Sequence, residues 1–333
     1  MASIRETILE ATKAAARLHD DFGLQAAVES TGGDVDVFGT LLRLKTTLIF
    51  KPLDGLLGAC LRGPSIGVII STRRPLRIQR FTGAHELGHV ALGHEVSLDG
   101  EEILSRAPGG GGYDLREVAA DAFAAEFLVP KWLLQIHARR QGWNRASMSD
   151  ATVVYQLALR VGASYDATCR ALERDKIIDS ATRDRLLAVP PKRIKQELVD
   201  GHEVDNWNLD VWLLTERDEG GTIEGQPDDL FVLKLTEKGG AGYLWNIDGL
   251  RDAGFVVLRD RREIPPPEEA IGRPITRALT AQHPDPARGD FSIELRRPWQ
   301  KTGVPLSRLH VVYDLFGKEV GLPRAARRQV VAA

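Results

Sequence analysis

Near residue 202 the chain changes its periodicity, and that change limits what it can fold into. From residue 203 apolar and polar residues alternate in seven short runs, LDVWLLTE, LFVLKLTE, GYLWNI, GFVVLRD, PITRALTAQ, FSIELRR and LHVVYDLF, separated by Gly, Pro and Asp. A period of two sends successive side chains to opposite faces, the pattern of half-buried strands. With no helical period among them, these runs predict an all-β sandwich over residues 203–325.

The part before residue 202 reads as mixed helix and sheet, so the whole chain is α+β. Residues 3–19 have helical period, with Ile4, Ile8, Leu9, Thr12, Ala15 and Ala16 on one side, and DVDVFGTLLRL predicts a second helix opened by Asp36. TTLIFKPL, LLGACLRG and SIGVIIST are apolar, β-branched and cut by Pro and Gly, which predicts a small antiparallel sheet. RIQRFTGAHELGHVALGHE is helical again, with its end placed at the Gly and Asp of SLDG; PGGGGYD follows as a loop. DLREVAADAFAAEFLVP predicts a helix capped by Asp114 and stopped by Pro130.

From Ser147 to about Val199 the signal is purely helical, and VYQLALRVGASYDATCRALERD has a helix-turn-helix rhythm. Residues 151–200 hold nine Lys plus Arg against seven Asp plus Glu. That balance is no footprint for DNA, so the helix pair reads as a packing unit. The division is therefore 1–145, 146–202 for the trailing helical unit, and 203–325.

A net charge of −2, from 44 basic and 46 acidic residues, argues against direct nucleic-acid binding, because counterion release needs a local excess of positive charge. No apolar run reaches membrane-spanning length and the N-terminal stretch interleaves charges with apolar residues, so no membrane association and a cytoplasmic location are expected. Cys60 and Cys169 lie in unlike contexts and read as two reduced core thiols.

The chemistry is concentrated in FTGAHELGHVALGHE. On a helix His85 and His89 lie one turn apart on one face and can direct ring nitrogens at one ion, with Glu86 about 100° round from His85. A catalytic zinc takes three protein ligands and a water, so a third ligand must come from elsewhere. Glu117 is the leading candidate, because Glu117 and Asp121 are four apart in an alanine-rich helix; Asp121 would accept the distal N–H of a ligand histidine. Asp114, Glu101 and Glu102 are alternatives to Glu117. His94 falls off the ligand line and reads as a surface or helix-terminal residue. Zinc, or else manganese, is the expected ion.

RRPLRIQRFTGAHELGHVALGHE followed by REVAADAFAAEFLVP resembles the ImmA/IrrE family of metallopeptidases, over roughly residues 15–190. The resemblance implies a zincin-like fold, His85, His89 and Glu117 as metal ligands and Glu86 as the catalytic carboxylate. It also implies cleavage of a helix-turn-helix transcriptional repressor under stress or mobile-element induction. Tyr113 is a candidate for stabilising the oxyanion, and GVIIST for pairing with an extended substrate. The alternative function is a non-catalytic regulator, DNA-binding or antitoxin-like, that uses the peptidase fold as a scaffold.

In the β-region, EKGGAGYLWNI, IGRPITRALTAQ and RRPWQKTGVPLSRLHVVYDL resemble the chagasin family of cysteine-peptidase inhibitors, which implies that the sandwich is immunoglobulin-like. The chain keeps Gly242, Tyr243 and Trp245, and Arg297, Pro298 and Trp299; it lacks the Asn-Pro-Thr-Thr run, and its middle loop has Gly272-Arg-Pro in place of a glycine cluster. Tyr243, Trp245 and Trp299 are the candidates for a partner-binding end. The sandwich is expected to fold by itself and to recruit substrate or restrain the active site.

Overall fold

The computed structural model describes residues 3–94, 97–100, 114–263, 275–300 and 303–332. Tyr113, Glu101, Glu102 and Gly272 lie outside the described residues.

The first half opens with helices α1 (Ile4–Asp21), α2 (Leu24–Thr31) and α3 (Val37–Arg43), followed by strands β1 (Thr47–Lys51), β2 (Leu56–Arg62) and β3 (Ile66–Ser71). Helix α4 (Leu76–Leu92), strand β4 (Ser97–Gly100) and helix α5 (Leu115–Leu128) come next. Asp36 caps α3 by accepting from the Gly39 N–H, and Asp114 caps α5 by accepting from the Arg116 N–H, as their side chains predict.

Helix α1 has the expected period but a different phase. Ile4, Ile8 and Leu9 are exposed, whereas Thr7, Ala11, Ala14, Ala15 and His19 are buried. The alanines set this phase: they let α1 approach closely, and His19 then stacks on Phe127 of α5 with ring centroids 5.0 Å apart.

The sheet runs in the order β1-β3-β2-β4. Strand β2 is antiparallel to β3 and β4, but β1 is parallel to β3, so the sheet is mixed rather than antiparallel. The reason is that β1 pairs with β3, which runs the same way, and leaves its sequence neighbour β2 to pair on the far side. The expectation that GVIIST receives a substrate strand is corrected by the same order, because both sides of β3 are already paired. Helix α4 ends at Gly93, in the left-handed conformation with φ 78°, and SLDG forms β4 instead of the helix end.

Helices α6 (Lys131–Gln141), α7 (Ala151–Arg160), α8 (Tyr165–Arg174), α9 (Ser180–Leu187) and α10 (Pro191–Val199) complete the helical region. The β-region comprises β5 (Val211–Leu214), β6 (Gly221–Glu224), β7 (Leu230–Glu237), β8 (Leu244–Asn246), α11 (Asp248–Asp252), β9 (Val256–Glu263), β10 (Ile275–Gln282), β11 (Arg288–Arg296) and β12 (Ser307–Asp314); α12 (Arg324–Ala332) follows. Strand β6 and the short helix α11 are additions to the seven expected strands. Two four-stranded sheets result, β5-β7-β10-β9 and β6-β12-β11-β8. Phe231 of one sheet and Phe291 and Tyr313 of the other meet Phe255 edge to face, at 5.3, 5.5 and 5.1 Å, so the core lies between the sheets.

Buried polar groups join the two halves. Gln156 of α7 donates to the Val211 carbonyl at 2.7 Å and accepts from the Leu213 N–H at 2.8 Å. Arg160 meets Asp218 at 2.7 Å and the Leu213 carbonyl at 2.8 Å. After the last strand the chain returns to the first half. Phe50 and Gly321 exchange backbone hydrogen bonds, closing the outer side of β1, and the Gln79 amide of α4 exchanges two with the backbone of Glu319. Arg80 lies between Asp34 at 2.9 Å and Glu224 at 3.2 Å. The first pass thus fastens to α7, and Glu224 and the returning segment fasten to the N-terminal part of α4 and to β1.

Candidate metal centre

The centre is built where the C-terminal part of α4 crosses the start of α5. Their close approach depends on Gly88: a Cβ there would lie 3.2 Å from the Cα of Ala120 and from Phe123. Small residues at the crossing bring Glu117 within reach of the α4 histidines. Its position in the first turn of α5 also suits a carboxylate, which the helix dipole favours there.

The structure brings His85, His89 and Glu117 together. The two Nε2 atoms are 3.1 Å apart, Glu117 Oε2 lies 3.3 Å from His85 Nε2, and Oε1 lies 3.6 Å from His89 Nε2. A tetrahedral ion with bonds of about 2.0–2.1 Å spaces its ligand atoms by about 3.3 Å. The donor set fits that requirement in both spacing and type. Asp121 stands behind His85, with Oδ1 2.9 Å from Nδ1. Glu86 and both histidines are buried, and Glu86 packs against Gly58 of β2, the position on that strand where its carboxylate has room.

His94 is the residue that sequence reasoning undervalued. Its Nδ1 lies 2.9 Å from Nδ1 of His89, and the two rings meet at an interplanar angle of 67°. Burial first, and then the charge of Arg116, hold its imidazole below the ordinary histidine range. The signal was Gly93 immediately before it: a left-handed glycine ends the helix and folds the next residue back beneath the last turn. Placing the helix end at SLDG hid that turn.

In the second half the three aromatic candidates separate. Trp299 is 69% exposed and lies over Gly242, where a Cβ would be 2.3 Å from the indole. The Arg297 guanidinium lies 4.7 Å above the Tyr243 ring, and its Nε donates to the Ala241 carbonyl at 3.1 Å. Tyr243, Arg297 and Trp299 therefore form one edge. Trp245 does not belong to it, because it is buried and its indole N–H donates to the Thr236 carbonyl at 3.0 Å. Trp245 lies within β8 and faces the core, whereas Tyr243 precedes that strand, follows the left-handed Gly242 and is half-buried.

Residues 45–173 match the family model of the IrrE N-terminal-like domain, peptidase M78, and residues 226–312 match the chagasin family peptidase inhibitor model. One part of the chain is thus similar to the IrrE N-terminal-like peptidase domain and the β-region to the chagasin family inhibitors. The peptidase family is generally metal-dependent, and the His-His-Glu cluster lies within its matched region. Amoebiasin-2 of Entamoeba histolytica is 25% identical to this chain over 99 residues, which cover 30% of this chain and 80% of that protein. A cysteine protease inhibitor from the same organism, solved as a crystal structure, is 23% identical, with a TM-score of 0.29, covering 33% of this chain and 99% of its own. No helix of the described residues is long and apolar enough to cross a membrane.

A cleft of about 480 Å³ opens between the halves at the opposite end of α4, lined by Arg73, Arg77, Trp212, Pro227, Phe316 and Lys318 among others. The metal-donor residues are not part of it.

Proposed function

We propose that this protein is a zinc-dependent, or manganese-dependent, endopeptidase whose substrate is a helix-turn-helix transcriptional repressor in a stress-response or mobile-element system. The observation that supports this most is the donor triangle of His85, His89 and Glu117 with a buried Glu86 on the same helix turn. A scaffold that only binds has no use for that carboxylate. His85, His89 and Glu117 would hold the ion, and an ion held there lowers the pKa of water to about 7 and polarises a carbonyl. Glu86 takes the water's proton at its carboxylate and delivers it to the leaving amine. Asp121 keeps the His85 proton on Nδ1, leaving the Nε2 lone pair toward the other donors.

The sheet order also suggests where an extended substrate adds. Strand β3 is internal and β1 is covered by the segment around Gly321, whereas β4 is an edge strand among the described residues. An edge strand offers unpaired N–H and C=O groups, which bind a peptide with little sequence preference. Specificity then falls to the sandwich, whose edge of exposed Trp299 beside the half-buried Tyr243 and Arg297 recruits the partner.

The test uses zinc-loaded full-length protein with helix-turn-helix proteins encoded near its gene, read by mass spectrometry. Glu86→Gln is expected to retain zinc by elemental analysis and to lose on the order of 10² to 10⁴ in cleavage rate. Cleavage of a confirmed substrate by metal-loaded Glu86→Gln at the wild-type rate would exclude the proton-transfer role.

A further inference from the structure

The two histidines of α4 are supported from behind by different chemistry. His85 has a carboxylate at its Nδ1, from Asp121 on the neighbouring helix. His89 has an imidazole, from His94 on its own chain five residues later. The turn between them is specific. Gly93, at φ 78°, places its N–H near the His89 and Val90 carbonyls, and the His94 N–H then bonds the His89 carbonyl at 3.0 Å. Backbone and ring of residue 94 are thus both fixed to residue 89, with ring centroids 5.0 Å apart.

The direction of the ring contact follows from proton counting. An imidazole whose Nε2 faces other donors as a lone pair carries its proton on Nδ1. The Nδ1–H of His89 therefore donates to Nδ1 of His94, and the proton of His94 sits on its own Nε2. We propose that His94 is a positioning residue of the metal site: it accepts the His89 Nδ1–H, fixes that ring's tautomer and aims Nε2 at the donors of His85 and Glu117. It does for His89 what Asp121 does for His85, with a neutral acceptor where the other histidine has a charged one. A weaker acceptor on one of two ligands leaves His89 the less basic of the pair.

The inference rests on reading His85, His89 and Glu117 as a metal site, and the experiment separates the two. Zinc affinity of the full chain is measured by competition with a chromophoric chelator for wild type, His89→Ala, His94→Phe and His94→Asn. Phe keeps a ring without an acceptor; Asn places a carbonyl oxygen near the position of Nδ1. Expected are loss of tight zinc binding in His89→Ala, a 10- to 100-fold weakening in His94→Phe, and recovery of most of that affinity in His94→Asn. His94→Phe binding zinc within about twofold of wild type, while His89→Ala does not bind, would overturn the role of His94 alone. Equal weakening in His94→Phe and His94→Asn would also overturn it, since mere packing would then explain the loss. Undiminished binding by His89→Ala would overturn the metal site itself. If His94→Phe fails to fold, His94→Ala replaces it as the variant without an acceptor, with the same expected loss and recovery.

Discussion

Gly58 of β2 lies against the carboxylate of Glu86: a Cβ at residue 58 would be 2.8 Å from Glu86 Oε1 and 2.5 Å from Thr82 Cγ2. The register of β2 against β4 shifts between Leu56 and Gly58, so the strand is irregular where the carboxylate approaches. The sheet thereby sets how deep the glutamate sits. Gly58→Ala forces a buried side chain to move, at a cost of about 1–3 kcal/mol in stability. Displacing Glu86 by about 1 Å costs on the order of 10²-fold in rate. The expected result is a protein that binds zinc normally, melts somewhat lower and cleaves on the order of 100-fold more slowly. Wild-type turnover in Gly58→Ala would show that Glu86 tolerates a wide range of positions.

The contact of Arg160 with Asp218 is buried on both sides, with 6% and 9% of the side chains exposed. Removing one partner leaves a charge without compensation, so Asp218→Ala is expected to destabilise the full chain by about 3–5 kcal/mol. Ending the chain after residue 202 removes Asp218 together with the partners of Gln156 and Gln79 and the segment that pairs with β1. The truncated first half is therefore expected to melt well below the full chain or to aggregate, measured by circular dichroism and light scattering. A soluble fragment with an unchanged melting temperature would show that the interface contributes nothing to the first half.

His137 is buried in α6 and directs Nε2 at the Gly33 carbonyl, 3.0 Å away. Burial first, and then the charge of Arg160, push its pKa down to about 4. The unfolded chain takes the proton near 6.5 while the folded chain refuses it to about 4, so this contribution is complete above about pH 6.5 and is lost as the pH falls. The loss amounts to roughly 3 kcal/mol at pH 4. Burial raises Asp34 and Asp229 to about 7, which acts in the opposite sense, but they are common to wild type and variant. The denaturant midpoint of His137→Gln is expected to fall less than that of wild type between pH 7 and pH 4. Parallel curves for the two proteins would show that His137 titrates alike in both states.

Local chemistry alone fixed much of this protein. The i, i+4 spacing of His85 and His89 and of Glu117 and Asp121 needs only helical geometry, and the caps Asp36 and Asp114 need only a side chain that reaches the first turn. The change of period near residue 202 likewise marks where helices give way to strands. Tertiary structure decided what depends on phase and pairing. Which face of α1 is buried follows from how closely its alanines can approach α5, and not from where Ile4 and Ile8 stand. Strand β3 became internal because β1 and β2 took its two sides, and alternation cannot specify which strands are neighbours. Trp245 went into the core and Trp299 stayed exposed because one sits in strand β8 and the other between β11 and β12, over Gly242. Gly58 became the floor of Glu86, and His94 the support of His89, through approaches of backbone and ring that spacing along a single helix does not encode.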